Sequence, residues 1–403
     1  MPPSPIATPV APAKRIDSID ALRGLALFGV LAINLETEFR VSIFQQFLRR
    51  SADQGLDRWV GAFLEIFVDL KAFAVFSLLF GIGLAIQYER LDRVPRRLVL
   101  LIRRLLALLA FGLIHLFLIW NGDILTEYAL AGLIVLPFLF APNRVLALGA
   151  AFFLLLYLAM PLLPPAVVFP DSERLANYVR AAERVYGTGS FDQILAFRIE
   201  EARALLPLHV FIFPRTVGLF LLGMLAWRTG LVRNANRHAS RLWLMGALGV
   251  GLGLALTLAS SARSYSGWPS LGPLEPLASP LATIVLALGY ASLVVGALTG
   301  SHSRLLAWAA PVGRMAFTNY IVQSLILGWI FYGYGLGWFG KIGLTAGLGL
   351  VFAIYIAQAL FSRWWLTRFR YGPLEWLWRA LMYGRAPPFR TVALEQSSVG
   401  SPG

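Results

Sequence analysis

The chain has no cysteine. Disulfides, thiolate catalysis and cysteine-based metal sites are therefore excluded. Charge is also scarce: 14% of the 403 residues are Asp, Glu, Lys or Arg, while 58% are hydrophobic. A soluble chain of this length needs more charge to coat its surface. Only four histidines occur, His115, His209, His238 and His302. They lie far apart and do not have metal-ligand spacing, so no metal is expected. No phosphate-binding loop of the P-loop kind is present. The short alternating segments of a β-barrel are missing too.

What is present is a series of apolar runs near the length that crosses a bilayer, about 20 residues for a helix. The expected fold is all-α, a polytopic transmembrane bundle of about ten spans. They lie near 20–36, 60–87, 98–120, 124–141, 145–164, 208–228, 241–260, 278–299, 311–332 and 342–362. In a soluble protein the net charge of +14 would suggest nucleic acid. Here no nucleic-acid partner is expected, because basic residues gather in loops that face the cytoplasm. YERLDRVPRRLVLLIRR holds six arginines against two acids, and RTGLVRNANRHASR holds arginines and no acid. With SRWWLTRFRYG after the last span, these three segments read as cytoplasmic, and ten spans then place both termini inside. The expected location is the bacterial plasma membrane, with the bilayer as first partner. Oligomeric state is not legible.

The organisation expected is a disordered leader (1–13), a first block of five spans (14–168), an external amphipathic segment (169–207), a second block of five spans with a cytoplasmic tail (208–390), and a disordered end (391–403). MPPSPIATPVAPA lacks the basic start and apolar run of a cleavable signal. The segment 171–203 is balanced, five arginines against six acids, and favours helix. It would cap the external mouth of a cavity or lie at the interface.

Ionisable groups inside hydrocarbon cost roughly 2.5–3.5 kcal/mol at the centre, so they face a protein interior or a wet cavity. GLIHLFLIWNGDILTEYAL places His115, Asn121, Asp123 and Glu127 at the junction of two spans. At about 1.5 Å per residue, His115 lies roughly 25 Å from the cytoplasmic start of its span. Asn34, Asp69 and Lys71 fall in the same outer half. Asp69 and Lys71 are two apart and point to different faces. Asp123 also suits a helix cap after an Asn-Gly turn. In the ninth span Asn319 and Gln323 share a face, as hydrogen-bonding glue or as part of a polar trail. Gly81 and Gly83 are expected to let helices approach closely.

Several strings occur in order along nearly the whole chain: RIDSIDALRGLALFGVLAIN, FSLLFGIGLA, RRLLALLAFGLIHLFLIWNGDILTEYAL, VGRMAFTNYIVQS and RYGPLEWLWRALMYG. Together they resemble the YeiB family of polytopic bacterial membrane proteins. That family is similar in its amino-terminal part to transmembrane acyltransferases such as heparan-α-glucosaminide N-acetyltransferase. The shared pattern is Ser18, Asp20, Arg23, Gly24 and Asn34. The resemblance implies acyl transfer from cytoplasmic acyl-CoA to an acceptor across the membrane, with Asn34 at the active site. The acetyltransferase has a catalytic histidine shortly after that asparagine. Here LETEFRVSIFQQFLRR has none, and His115 is the candidate to replace it from another helix.

On this reading His115 is the base, oriented by Asp123 or Glu127, and Asn34 donates to the oxyanion. Arg23, Arg97 and Arg104 would hold the phosphates of acyl-CoA as co-substrate. The acceptor would be a small molecule, glycan or lipid. The competing reading is a transporter or exporter of a small polar molecule or lipid, with the same residues lining its route.

Overall fold

The computed structural model describes residues 17–48, 55–164, 169–261, 275–299 and 306–391. The expected leader, and all of the expected disordered end except Thr391, lie outside the described residues. Among the described residues the structure is helices joined by turns and loops, with no strand beyond one isolated bridge between Phe369 and Arg390. Eight helical stretches are long and apolar enough to cross a membrane. Two shorter apolar stretches, Leu125–Phe140 and Ala316–Phe331, fall on the fourth and ninth expected spans. The protein is a membrane-embedded helical bundle.

The helices are α1 (Asp17–Asn34), α2 (Leu56–Phe67), α3 (Lys71–Arg90), α4 (Arg97–Ile114), α5 (Leu125–Val135), α6 (Asn143–Ala159), α7 (Ser172–Thr188) and α8 (Phe191–Ala204). They continue as α9 (Leu206–Arg228), α10 (Ala239–Ser261), α11 (Glu275–Ala297), α12 (Ala310–Arg314), α13 (Ala316–Phe331), α14 (Leu344–Arg368) and α15 (Pro373–Tyr383). Burial sorts them. The first span is 67% buried, whereas Asn143–Leu162 is 17% buried and leaves its apolar side chains for lipid. The central position of α1 is set by small residues. A side-chain carbon on Gly24 would lie 2.2 Å from the Ala309 carbonyl oxygen, and one on Gly313 would lie 1.8 Å from that of Asp20. Backbone therefore meets backbone, as small residues allow between membrane helices. The Asp-Ala-Leu-Arg-Gly string and the Val-Gly-Arg-Met string are thus two sides of one contact.

The same logic joins α3 to α9 through Gly81, whose added carbon would lie 2.0 Å from the Phe220 carbonyl oxygen. Gly83 differs from expectation. No atom lies within 4 Å of its added carbon, because it faces a cavity and not a helix.

The expected single span 60–87 is broken. α2 ends at Phe67, and Leu70 adopts a left-handed conformation (φ 57°) before α3 begins at Lys71. A leucine rarely takes this conformation. The Lys71 ammonium, 6% exposed, donates to the Glu65 carbonyl at 2.6 Å and so satisfies the frayed end of α2. Asp69 and Lys71 therefore belong to a helix break. Lys71 serves that break, and the partners of His115 are Asp123 and Ser324 instead.

Candidate functional site

His115 ends α4. The last turn widens into a π-turn over His115–Ile119, and the chain then reverses through Trp120–Ile124 into α5. The reversal returns Asp123 to the histidine. His115 Nδ1 lies 2.8 Å from Asp123 Oδ1, with both side chains fully buried. The Asp123 carboxylate also accepts the backbone N–H groups of Leu125 (3.1 Å) and Thr126 (2.7 Å). It thus caps α5 and orients the imidazole at once. An ionised carboxylate only accepts, so Nδ1 is the donor to it, and in the neutral ring Nε2 is the nitrogen with the lone pair. That lone pair faces the Ser324 hydroxyl of α13 at 3.0 Å. The ring is held between Trp120 and Tyr320, with centroids 5.9 and 5.1 Å away.

The other expected members fall elsewhere. Asn34 is buried and its Oδ1 has no hydrogen-bond partner, but no hydrogen bond joins it to His115 or Asp123. It opens a second π-turn, Leu35–Phe39, that lays Phe39 on Trp120 at 4.7 Å. Glu127 turns toward α9, where it accepts the Thr216 hydroxyl and lies 3.6 Å from His209 Nδ1. Asn319 and Gln323 bridge α13 to α14. Asn319 donates to Ser362 (3.0 Å), Gln323 donates to Gln358 (2.7 Å), and Gln358 donates back to the Asn319 carbonyl (3.0 Å).

Beneath the histidine lies a cavity of about 290 Å³. Its lining runs along α1 from Asp20 and Arg23 to Leu27 and Val30. Along α3 it runs from Arg90 back to Phe80 and Phe76. Arg104, Arg314 and Arg379 join Arg23 and Arg90, so five guanidinium groups line the cavity with the carboxylates of Asp20 and Glu375, Arg23 pairing with Asp20 at 3.0 Å, and the remaining lining is mostly apolar. Tyr320 lines the cavity and also packs on His115. Of the three arginines singled out by sequence, Arg23 and Arg104 face this space. Arg97 does not: it pairs with Asp92 at 2.7 Å and stacks on Tyr88 at 4.3 Å. Arg90, Arg314, Arg379 and Ser324 are the residues that sequence reasoning missed.

The helix α15 roofs the charged end. Its Glu375 carboxylate accepts the N–H groups of Phe317 (2.8 Å) and Thr318 (3.0 Å) and caps α13. Burial pushes this carboxyl above its ordinary range, while the hydrogen bonds from Thr318 and Phe317 oppose the shift. Trp378 donates to the Arg104 carbonyl (2.8 Å), and the Arg104 guanidinium lies over its ring at 3.8 Å. The Gly-Pro-Leu-Glu-Trp-Leu-Trp-Arg string is therefore a clasp on the cavity.

At the histidine end, α7 and α8 close over the Asn-Gly-Asp turn. Glu201 accepts Asn121 Nδ2 at 2.9 Å and the Tyr186 hydroxyl, and Arg198 donates to the Leu118 carbonyl at 3.1 Å. Burial pushes the Glu201 carboxyl from an ordinary 4.5 up to about 7. Between those values the unfolded chain has released a proton that the folded chain keeps, so stability falls as pH rises through this window. Thermal unfolding in lipid at about pH 5 and about pH 7.5 should show that fall, and Glu201→Gln should flatten this part of it. A slope unchanged in the variant would show that Glu201 does not titrate in this range.

The family model described as "Protein of unknown function (DUF418)" matches residues 226–385. Uncharacterized protein YxaH of Bacillus subtilis is 34% identical over 400 residues, covering 93% of this chain and 96% of that protein. Uncharacterized protein YeiB of Escherichia coli is 30% identical over 385 residues, covering 92% of this chain and 97% of YeiB. The chain belongs to the YeiB family. No solved structure matches it. The segment matched by the family model contributes Arg314, Ser324, Glu375 and Arg379 to the site, while the share of this chain aligned with both relatives is too large to leave out the helix that leads to His115.

Proposed function

We propose that the protein is an integral membrane acyltransferase that takes an acyl group from acyl-CoA and passes it to a hydroxyl or amine acceptor. The observation that carries the reading is the cavity. Its five arginines suit the phosphates of CoA, since guanidinium groups bind phosphate in bidentate fashion. Its apolar walls suit a pantetheine arm and acyl chain, and Tyr320 at its inner part touches His115. The thioester would thus arrive near an imidazole oriented by Asp123, a type of group suited to general base catalysis near neutral pH. The arginine-rich segments support a cytoplasmic entrance in the plasma membrane and an acceptor from the opposite side. The transport reading draws less support, because Asn319 and Gln323 spend their amides on α14 and do not line the cavity.

The test is binding and turnover of acetyl-, octanoyl- and palmitoyl-CoA by the purified protein in lipid, read as free CoA release. Arg314→Ala is expected to weaken binding about tenfold, the loss of one charge-assisted contact. His115→Ala is expected to bind and not turn over. Absence of binding across the chain lengths would overturn the reading and favour transport assays on the same variants.

A further inference from the structure

We infer that Ser324 is the nucleophile of this reaction and carries the acyl group as an ester between donor and acceptor. The inference rests on the acyltransferase reading above and adds a covalent step to it. Asp123, His115 and Ser324 form one line of hydrogen bonds, 2.8 Å at Nδ1 and 3.0 Å at Nε2. Asp123 is held as an acceptor by two backbone N–H groups, which fixes the proton on Nδ1. In the neutral ring Nε2 is then the accepting nitrogen, and the Ser324 hydroxyl is the donor that faces it. The other acceptor within reach of that hydroxyl, the Tyr320 carbonyl, is farther away at 3.4 Å. A serine on the free nitrogen of an acid-oriented histidine is the arrangement that activates a weak nucleophile.

Position supports the same role. Ser324 lies one turn beyond Tyr320 on the same helix face, buried behind Tyr320, which itself lines the cavity. The Tyr320 hydroxyl hydrogen has no acceptor. It is free to donate to an oxygen of a molecule held in the cavity that Tyr320 lines. A base whose accepting nitrogen is already held by a serine is also poorly placed to take a proton from an outside acceptor directly.

The step balances as two displacements. Ser324 Oγ attacks the thioester carbonyl carbon and its proton moves to His115 Nε2. The carbon–sulfur bond breaks, and the CoA sulfur leaves with that proton as the thiol. The acceptor hydroxyl or amine then attacks the serine ester and gives its proton to Nε2. The ester carbon–oxygen bond breaks, and Ser324 Oγ recovers the proton. No oxidant, reductant or metal enters either step.

The full chain in lipid is mixed with each of the three acyl-CoA probes without acceptor, quenched, and weighed by intact mass and peptide mapping. The expected result is one acyl group per chain on the peptide that contains Ser324, with a matching burst of free CoA. Ser324→Ala should lose label and burst while acyl-CoA binding changes by no more than about twofold. Ser324→Cys should label as a thioester released by neutral hydroxylamine, a signature available because the chain has no other thiol. If the wild type releases CoA yet carries no label, or if Ser324→Ala keeps more than about a tenth of turnover, transfer is direct and Ser324 is structural. That outcome leaves the acyltransferase reading standing. If the wild type neither binds nor consumes acyl-CoA, the reading itself falls, and the role of Ser324 with it.

Discussion

Asp123→Asn should cut acyl-CoA turnover by about 10³- to 10⁴-fold while the protein remains folded. The substitution is nearly isosteric, so shape is not the cause. The carboxylate accepts three N–H groups, from His115, Leu125 and Thr126. An amide has one accepting oxygen, so its NH₂ must face one of these donors. Where it faces His115, the ring turns its lone pair to the amide and places a proton on Nε2, where Ser324 then finds no base. Where it faces the backbone, the cap on α5 weakens. That loss is about 1 kcal/mol, too little to unfold the chain. Measuring CoA release beside thermal unfolding separates the two. Turnover within about tenfold of wild type would show that His115 and Asp123 serve structure alone.

Gly313→Ala should prevent accumulation of folded protein. The added carbon would sit 1.8 Å from the Asp20 carbonyl oxygen and 2.8 Å from the Gly24 backbone nitrogen. These are backbone atoms of the most buried span, so no side chain can swing aside. Overpacking a core commonly costs about 1–3 kcal/mol, and a clash of backbone on backbone belongs at or beyond the upper end. Forcing α1 from α12 would also displace Arg23 and Arg314 together, because each lies beside a glycine of the contact. Expression and size-exclusion profile in detergent provide the measurement. A monodisperse variant with wild-type yield would show that α1 and α12 do not approach this closely in the membrane.

Much of this was legible in the chain. Apolar run length marks the spans because lipid tolerates little else. A partner for His115 was legible only as a choice between Asp123 and Glu127; the Asn-Gly turn returns Asp123 to the ring, while Glu127 faces α9. Ser324 was not. It lies 209 residues from His115, and a serine in an apolar helix reads as ordinary glue. The arginines divide for a related reason. Sequence sorts Arg97 and Arg104 into one basic loop, but seven residues of helix leave them on nearly the same face, about 20° short of two full rotations, and nearly 11 Å apart along the axis, by about 3.6 residues per turn and 1.5 Å per residue. Arg97 consequently stays with Asp92, while Arg104 reaches the cavity. The break before α3 left no signal either, because the left-handed residue is Leu70 and not a glycine.

The clasp made by Glu375 has a consequence for how the chain is born. The cap of α13 is supplied from a helix 57 and 58 residues downstream. While a ribosome is still delivering α14, the start of α13 has its exposed N–H groups unanswered, and the arginine-ringed space has no roof. A nascent chain cut short before Glu375 would hold every apolar span and yet present an open, positively charged pocket to the cell's quality-control proteases. One helix, the last of those described, thus does three jobs at once: it finishes α13, covers Arg104 and lines the charged end of the cavity.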